Sequence, residues 1–215
     1  MRKEIRKMNF EKELETIEDM HLREFTRFAL SNAPKYFYTI GASSSGKYHP
    51  QFSQGEGGLV RHTKAVLMFC NELLNMSPYY ELPPMWKDYA RVACLLHDIC
   101  KYGETEEIDK TQYADHAVNG SVYVDKMWGL FHSTEEEIYL ELAPELITHA
   151  IMCHMGRWSE QNKRPITIID NLVHLADYVA SRQFINIEFE GEESKTSSSE
   201  ELPIVEINLE DMIRD

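Results

Sequence analysis

Long apolar runs are missing from this 215-residue chain. No stretch approaches the ~20 consecutive apolar residues that a membrane-spanning helix needs, so we expect no contact with a membrane. The first ten residues, MRKEIRKMNF, are charged and have no apolar core of the kind that a signal peptide carries. The sequence therefore predicts a cytoplasmic protein.

Cysteine is scarce, and no two cysteines form a C-x-x-C pair. The four residues, Cys70, Cys94, Cys100 and Cys153, lie in apolar, helix-like stretches. This pattern predicts buried, reduced thiols rather than disulfides.

Basic residues are few: 22 Lys and Arg stand against 36 Asp and Glu, for a net charge of −14. Proteins that bind long nucleic acids need a basic track, and this composition argues against one. A small anionic substrate held by a metal ion is compatible with the charge. The sequence is also compatible with a homo-oligomer.

Strand-like alternation is absent from most of the chain, where apolar residues recur at helical spacing. Helices are predicted over 10–33, 59–75, 86–101, 113–131 and 167–183, and over a pair, 134–142 and 144–155, divided by Pro144. A chain of helices with no intervening strands predicts an all-α domain.

The C-terminal tail has a different pattern. Apolar and polar residues alternate over 184–189 (FINIEF) and 203–209 (PIVEINL), which is typical of short strands. We expect a short C-terminal β-hairpin, with a frayed tail as the alternative. The predicted organisation is an N-terminal helix and Gly/Ser-rich loop over 1–54, a helical domain over 55–183, and an acidic tail over 184–215.

The segment GASSSGKYHP, residues 41–50, has most of a phosphate-binding P-loop. Gly41, Gly46 and Lys47 stand at the motif's glycine and lysine positions, but Tyr48 replaces its Ser or Thr. A P-loop also opens a helix, whereas Pro50 and several glycines follow here. The sequence therefore argues against a P-loop.

Polar side chains with metal-binding capacity lie on the apolar faces of several predicted helices. They are His62, His97, His116, His154 and Asp177, with Asp98 directly after His97. Buried polar groups need partners, and one shared metal ion would satisfy all of them. Unrelated hydrogen bonds in the core are the alternative for any single residue.

Three of these positions occur in extended sequence contexts: GEGGLVRHT at His62, CLLHDICKYG at His97-Asp98 and LVHLADYVASR at Asp177. Their order resembles HD-domain metal-dependent phosphohydrolases, more the exonuclease-like members than the HD-GYP phosphodiesterases. The resemblance covers roughly residues 55–183. It implies a helical bundle in which His62, His97, Asp98 and Asp177 hold a divalent metal ion.

The resemblance also implies catalytic roles for Asp98, Lys101, His116 and His154. Lys101 matches a lysine that many members direct at the substrate phosphate. His116 and His154 match ligands of a second ion, which Asp98 would bridge to the first, or they protonate the leaving oxygen. Met155 stands where two-metal members often have another histidine, which argues for a weaker second site.

The implied reaction is hydrolysis of a phosphate ester of a nucleotide or short oligonucleotide by metal-activated water. The cofactor is one or two divalent ions, with Mn, Fe, Ni, Co, Zn and Mg all open. Lys47, His49 and Arg182 are further candidates for substrate binding, with a plain surface loop and a salt bridge as the alternatives. Two other functions stay open: a mixed-valence di-iron oxygenase and a non-catalytic nucleotide-binding module.

Overall fold

Seven α-helices build the part of the chain that the computed structural model describes, residues 10–43, 49–132, 142–158, 160 and 163–189. No β-strand occurs within these residues, which confirms the all-α prediction. The helices are α1 (Glu11–Leu14), α2 (Met20–Ser31), α3 (Gly58–Leu73), α4 (Pro84–Leu96), α5 (His116–His132), α6 (Ala143–Cys153) and α7 (Ile168–Ala180).

The four central helices are α3, α4, α6 and α7. Helix α3 packs against α4 and α7, and α6 packs against α4, α5 and α7. Their facing sides are apolar and fully buried, for example at Leu59, Leu95 and Ile151, so burial of this surface stabilises the bundle. Some polar side chains also point into the bundle. The packing of the helices brings these side chains together from distant parts of the sequence.

The prediction of one helix over 10–33 is wrong, since α1 and α2 are separate. The buried carboxylate of Asp88 accepts hydrogen bonds from the backbone N–H groups of Glu18 and Asp19, at 3.1 and 2.8 Å. Asp19 in turn caps α2, because its side chain accepts from the N–H of Leu22. These tertiary bonds hold residues 15–19 out of a continuous helix.

The segment before α3 packs tightly on the first turn of that helix. A Cβ atom on Gly58 would lie only 2.3 Å from the carbonyl oxygen of Ser53, so a larger residue would force the two apart. The N–H of Leu59 donates to the carbonyl of Ile40 at 2.9 Å. The start of α3 is therefore fixed against residues 40–53.

Two other predicted boundaries differ from the structure. The helix predicted over 86–101 ends at Leu96, so the His97-Asp98 dyad lies in the turn that follows α4. Residues 110–115, which include the start of the helix predicted over 113–131, form a 3₁₀ helix that leads into α5.

The described part of the C-terminal tail, residues 184–189, forms no strand. Phe189 instead packs against Phe52, with ring centroids 5.7 Å apart. The second predicted strand, 203–209, lies outside the described residues, as does the predicted helix 134–142 except for its last residue.

All four cysteines are buried and free, as predicted. Among the described residues, no helix has the length and hydrophobicity needed to cross a membrane.

Candidate metal centre

His62 and Asp177 meet where α3 packs against α7. The His62 side chain is 1% exposed, and its Nε2 lies 3.1 Å from Oδ1 of Asp177. The same nitrogen lies 3.9 Å from Oδ2 of Asp98. Two carboxylates, Asp177 from α7 and Asp98 from the turn after α4, therefore lie near one buried imidazole nitrogen.

Three further histidines share one local arrangement. The Nδ1 atoms of His97, His116 and His154 each lie 2.7–2.8 Å from the backbone carbonyl oxygen three residues earlier. Because a carbonyl oxygen can only accept, each Nδ1 donates its proton to that bond. In the neutral ring, Nε2 is then left with a free lone pair, the form in which imidazole binds metals.

The three Nε2 atoms converge on Asp98. His97 Nε2 lies 3.6 Å from Oδ2, while His116 and His154 place theirs 3.4 and 3.9 Å from Oδ1. The carboxylate thus stands between two groups of side chains. One contains His62, His97 and Asp98, and the other contains Asp98, His116 and His154, each with ligand atoms within 4.8 Å of one another.

Lys101 adds a buried positive charge to the centre. Its Nζ lies 2.5 Å from Oδ2 of Asp98, and its side chain is 4% exposed. Burial by itself lowers the pKa of Lys101, but the Asp98 carboxylate outweighs it and raises the pKa above its ordinary value. The ammonium group therefore stays charged at neutral pH.

The protonation states match those of metal ligands. Burial lowers the pKa of His116 and of His154 to about 4. Burial would raise the pKa of Asp98, but Lys101 and the nearby histidines outweigh it and hold that pKa well below its usual range. The His62 hydrogen bond likewise lowers the pKa of Asp177 against its burial. At neutral pH the carboxylates are therefore ionised, and His116 and His154 are neutral.

The polar atoms of the centre fit a cation. His97 Nε2 and Asp98 Oδ1 are buried and have no hydrogen-bond partner among the described residues. The Nε2 atoms of His116 and His154 face each other at 3.2 Å, although both rings direct their protons to backbone carbonyls. Facing lone pairs and unpaired buried acceptors are costly alone, and a shared positive ion would satisfy them.

A sequence model of the protein family described as the HD domain matches residues 59–182, more than half of the chain. The chain belongs to the HD domain family. HD domains bind divalent metal ions and are generally metal-dependent phosphohydrolases. No curated protein and no solved structure matches the chain.

A cavity of about 690 Å³ opens on the centre of this HD domain. Its walls include six of the residues predicted from the resemblance: His62, Asp98, Lys101, His116, His154 and Asp177. Two of the three predicted substrate contacts, His49 and Arg182, also line it. The third, Lys47, lies outside the described residues.

His49 lies directly beside the centre. Its ring centroid is 5.6 Å from that of His62, and its Nδ1 is buried without a hydrogen-bond partner among the described residues. Burial lowers the pKa of His49 to about 4. His49, near the end of the P-loop-like stretch, therefore borders the cavity.

Met155, which the resemblance places beside His154, lines the cavity, and several further cavity residues were not anticipated from the sequence: Tyr113, Trp158, His174, Tyr178, Ser181, Gln183 and Phe184. Closeness along the chain to a predicted ligand was the available signal for several of them: Tyr178 follows Asp177, Trp158 comes four residues after His154, and Tyr113 comes three residues before His116. His174 on α7, and Ser181, Gln183 and Phe184 in the turn after α7, are brought to the cavity by the tertiary fold.

A second polar cluster, His149, Cys153 and Asp170, lies apart from the cavity. Asp170 accepts from the N–H groups of Ile166 and Thr167 in the capping box that begins α7, and His149 Nδ1 lies 3.0 Å from its carboxylate. These bonds show that Asp170 takes part in capping the first turn of α7.

Proposed function

We propose that this HD domain hydrolyses a phosphate ester of a nucleotide or short oligonucleotide. One observation carries the proposal. The Asp98 carboxylate lies between two groups of metal-binding side chains and contacts the Lys101 ammonium within the same cavity. Metal ligands beside a buried cation form a site for an anion such as a phosphate group.

The proposed first metal site consists of His62, His97, Asp98 and Asp177, and the second of Asp98, His116 and His154. A divalent ion bound there supplies Lewis acidity, which neutralises charge on the phosphate and makes water a stronger nucleophile at neutral pH. Neutral imidazole and carboxylate ligands suit several first-row ions. We infer a tight first site and a weaker second one, because Met155 supplies no imidazole beside His154.

Lys101 is proposed to donate a hydrogen bond to a phosphate oxygen. Its position is fixed, since Asp98 holds Nζ at 2.5 Å and the Tyr113 ring lies under it at 5.7 Å. A preorganised cation stabilises the negative charge that develops on phosphorus-bound oxygens without having to reorient. Its contribution therefore falls on turnover more than on substrate affinity.

His49, Arg182 and Lys47 are proposed to contact the substrate farther from the reacting phosphorus. His49 and Arg182 line the cavity, and the Lys47 side chain would add a positive charge two residues from His49. The acidic composition argues against a long nucleic acid as substrate, so the proposed partner is a nucleotide or a short single strand.

A di-iron oxygenase is the second candidate, because Asp98 places its two oxygens towards two different groups of histidines. Lys101 favours the hydrolase, since an ammonium group beside the bridging carboxylate is suited to a phosphate. Under the third alternative, a nucleotide-binding module, no turnover occurs.

One experiment separates the three. The protein is reconstituted with Mn²⁺, Fe²⁺ or Ni²⁺ and incubated without oxygen with nucleotides, cyclic dinucleotides and short oligonucleotides, and phosphate-ester cleavage is measured. We expect anaerobic cleavage that a chelator abolishes and that added metal restores. Product formation that requires oxygen would support the oxygenase. Tight nucleotide binding without any cleavage would support the binding module.

A further inference from the structure

An aromatic pair lies at the mouth of the cavity, and the reaction at the metal centre leaves it without a role. The rings of Trp158 and Tyr178 are stacked, with centroids 6.0 Å apart and planes 20° from parallel. Both side chains line the cavity. Trp158 is nevertheless 54% exposed, which is a large apolar surface to leave in water beside a polar site.

The fold ties this pair to the metal centre. Trp158 ends a short 3₁₀ helix, Gly156–Trp158, that begins two residues after His154. Tyr178 follows Asp177 on α7. Gly156 has a positive φ of 57°, and a Cβ there would lie 2.2 Å from the His174 ring, so this turn admits only glycine without rearrangement. The distance from the stacked rings to the proposed ligands is therefore fixed.

Positive charge flanks both rings. The Arg182 guanidinium lies 4.0 Å from the Tyr178 ring centroid, and that of Arg157 lies 4.6 Å from the Trp158 ring. Arg182 Nε also donates to the backbone carbonyl of Tyr178 at 3.0 Å, which holds the guanidinium at the cavity wall. The mouth thus presents two aromatic rings, each with a guanidinium group over it, and the indole of Trp158 remains about half exposed.

This combination matches one class of ligand, an aromatic base attached to a phosphate. Bases stack on exposed aromatic side chains regardless of their sequence, and guanidinium groups pair with phosphate oxygens. A cavity of about 690 Å³ lies within the usual range for small-molecule sites. A sugar phosphate or an aliphatic phosphate ester could pair with the guanidinium groups but has no aromatic base to stack on the rings.

We propose that Trp158 and Tyr178 form a nucleobase subsite, in which the base stacks on the exposed indole while its phosphate extends towards Lys101. The inference rests on the proposed function for the position of the phosphate. It assigns Trp158 as a specificity-determining residue that separates base-bearing from base-free phosphates. Because stacking is tolerant of sequence, the subsite accepts purines and pyrimidines.

The test compares two ligands that share a sugar and a phosphate. Binding of thymidine 5′-monophosphate and of 2-deoxyribose 5-phosphate to the metal-reconstituted protein is measured by calorimetry for wild type and Trp158→Ala. We expect the substitution to weaken nucleotide binding about tenfold and to leave binding of the sugar phosphate unchanged. Trp158→Phe keeps an aromatic face and should retain most of the affinity.

Tyr80→Ala is the matched control, since Tyr80 is also an exposed aromatic residue, at 53%, and does not line the cavity. It should change neither affinity. Cleavage of a thymidine dinucleotide and of its counterpart with tetrahydrofuran in place of both nucleosides provides the second readout. Trp158→Ala should raise KM for the first and leave the second unchanged.

The outcomes distinguish this inference from the proposed function. Equal losses for both ligands would mean that Trp158 only maintains the fold, and unchanged affinities would mean that it contacts no base; either result overturns the subsite. Nucleotide binding that depends on Trp158 without any hydrolysis would support the subsite and refute the proposed function. Hydrolysis that does not depend on Trp158 would do the reverse.

Discussion

At the scale of single residues, the centre depends on one repeated local device. His97, His116 and His154 each bond to the carbonyl three residues earlier and direct Nε2 at Asp98. His97 and His154 follow the last residues of α4 and α6, while His116 begins α5. In each case the bond satisfies the ring Nδ1 and orients Nε2 as a proposed metal ligand.

Lys101 supports a prediction at this scale. Replacing it by glutamine removes the charge beside Asp98, and we expect turnover of a phosphate ester to fall about 100-fold while metal content stays the same. Lys110→Gln is the control, because Lys110 is exposed and lies outside the cavity. Steady-state kinetics and metal analysis of both variants check this. Wild-type turnover in Lys101→Gln would exclude a role at the phosphate.

The sequence predicted which polar residues come together better than it predicted what surrounds them. His62, His97, Asp98 and Asp177 could be selected because each interrupts an apolar helical face or sits in a recognisable context. Trp158 could not, since an exposed tryptophan in a short turn has no periodicity. Its position depends on Gly156 and on the packing of α6 against α7. Both are features of the tertiary structure that no local sequence pattern indicates.

At the scale of helices, the existence of the main elements followed from periodicity, whereas their ends depended on distant partners. The division between α1 and α2 is the clearest case. Asp88 holds the backbone of Glu18 and Asp19 from about 70 positions away in the chain. The spacing of apolar residues over 10–33 does not indicate that contact, so this spacing predicted one continuous helix.

Two glycines allow a prediction about the elements that carry the site. Gly156→Ala puts a Cβ at positive φ and against the His174 ring, and we expect the free energy of unfolding to fall by about 2 kcal/mol. Gly129→Ala lies within α5 with no atom near the new Cβ, and we expect a gain of about 0.5–1 kcal/mol. Urea unfolding measures both. Equal effects would show that the turn before Trp158 is not constrained.

At the scale of the whole molecule, charge is distributed unevenly in a way that suits the proposed reaction. The chain carries a net charge of −14, yet Lys101 and Arg182 line the cavity together with side chains proposed to bind metal cations. Because Asp98 and Asp177 also line the cavity, a net positive charge there would come from the proposed metal ions, and it would favour anions at the centre over the remaining acidic surface. The predicted homo-oligomer and the predicted roles of residues outside the described ranges stay predictions.

We propose that Asp98 would hold metal ions at both proposed sites and is required for phosphate-ester hydrolysis, and the Asp98→Asn variant tests this proposal. The change keeps the shape of the side chain and removes its charge. The control is Asp125→Asn, since Asp125 is exposed on α5 and lies outside the cavity. Metal content and turnover of both variants are compared with wild type, and circular dichroism confirms that each is folded.

We expect Asp98→Asn to bind less metal and to lose turnover by at least about 100-fold, and we expect Asp125→Asn to match wild type in both. A folded Asp98→Asn variant with wild-type metal content and wild-type turnover would refute the proposed role of Asp98, which would then serve only to pair with Lys101.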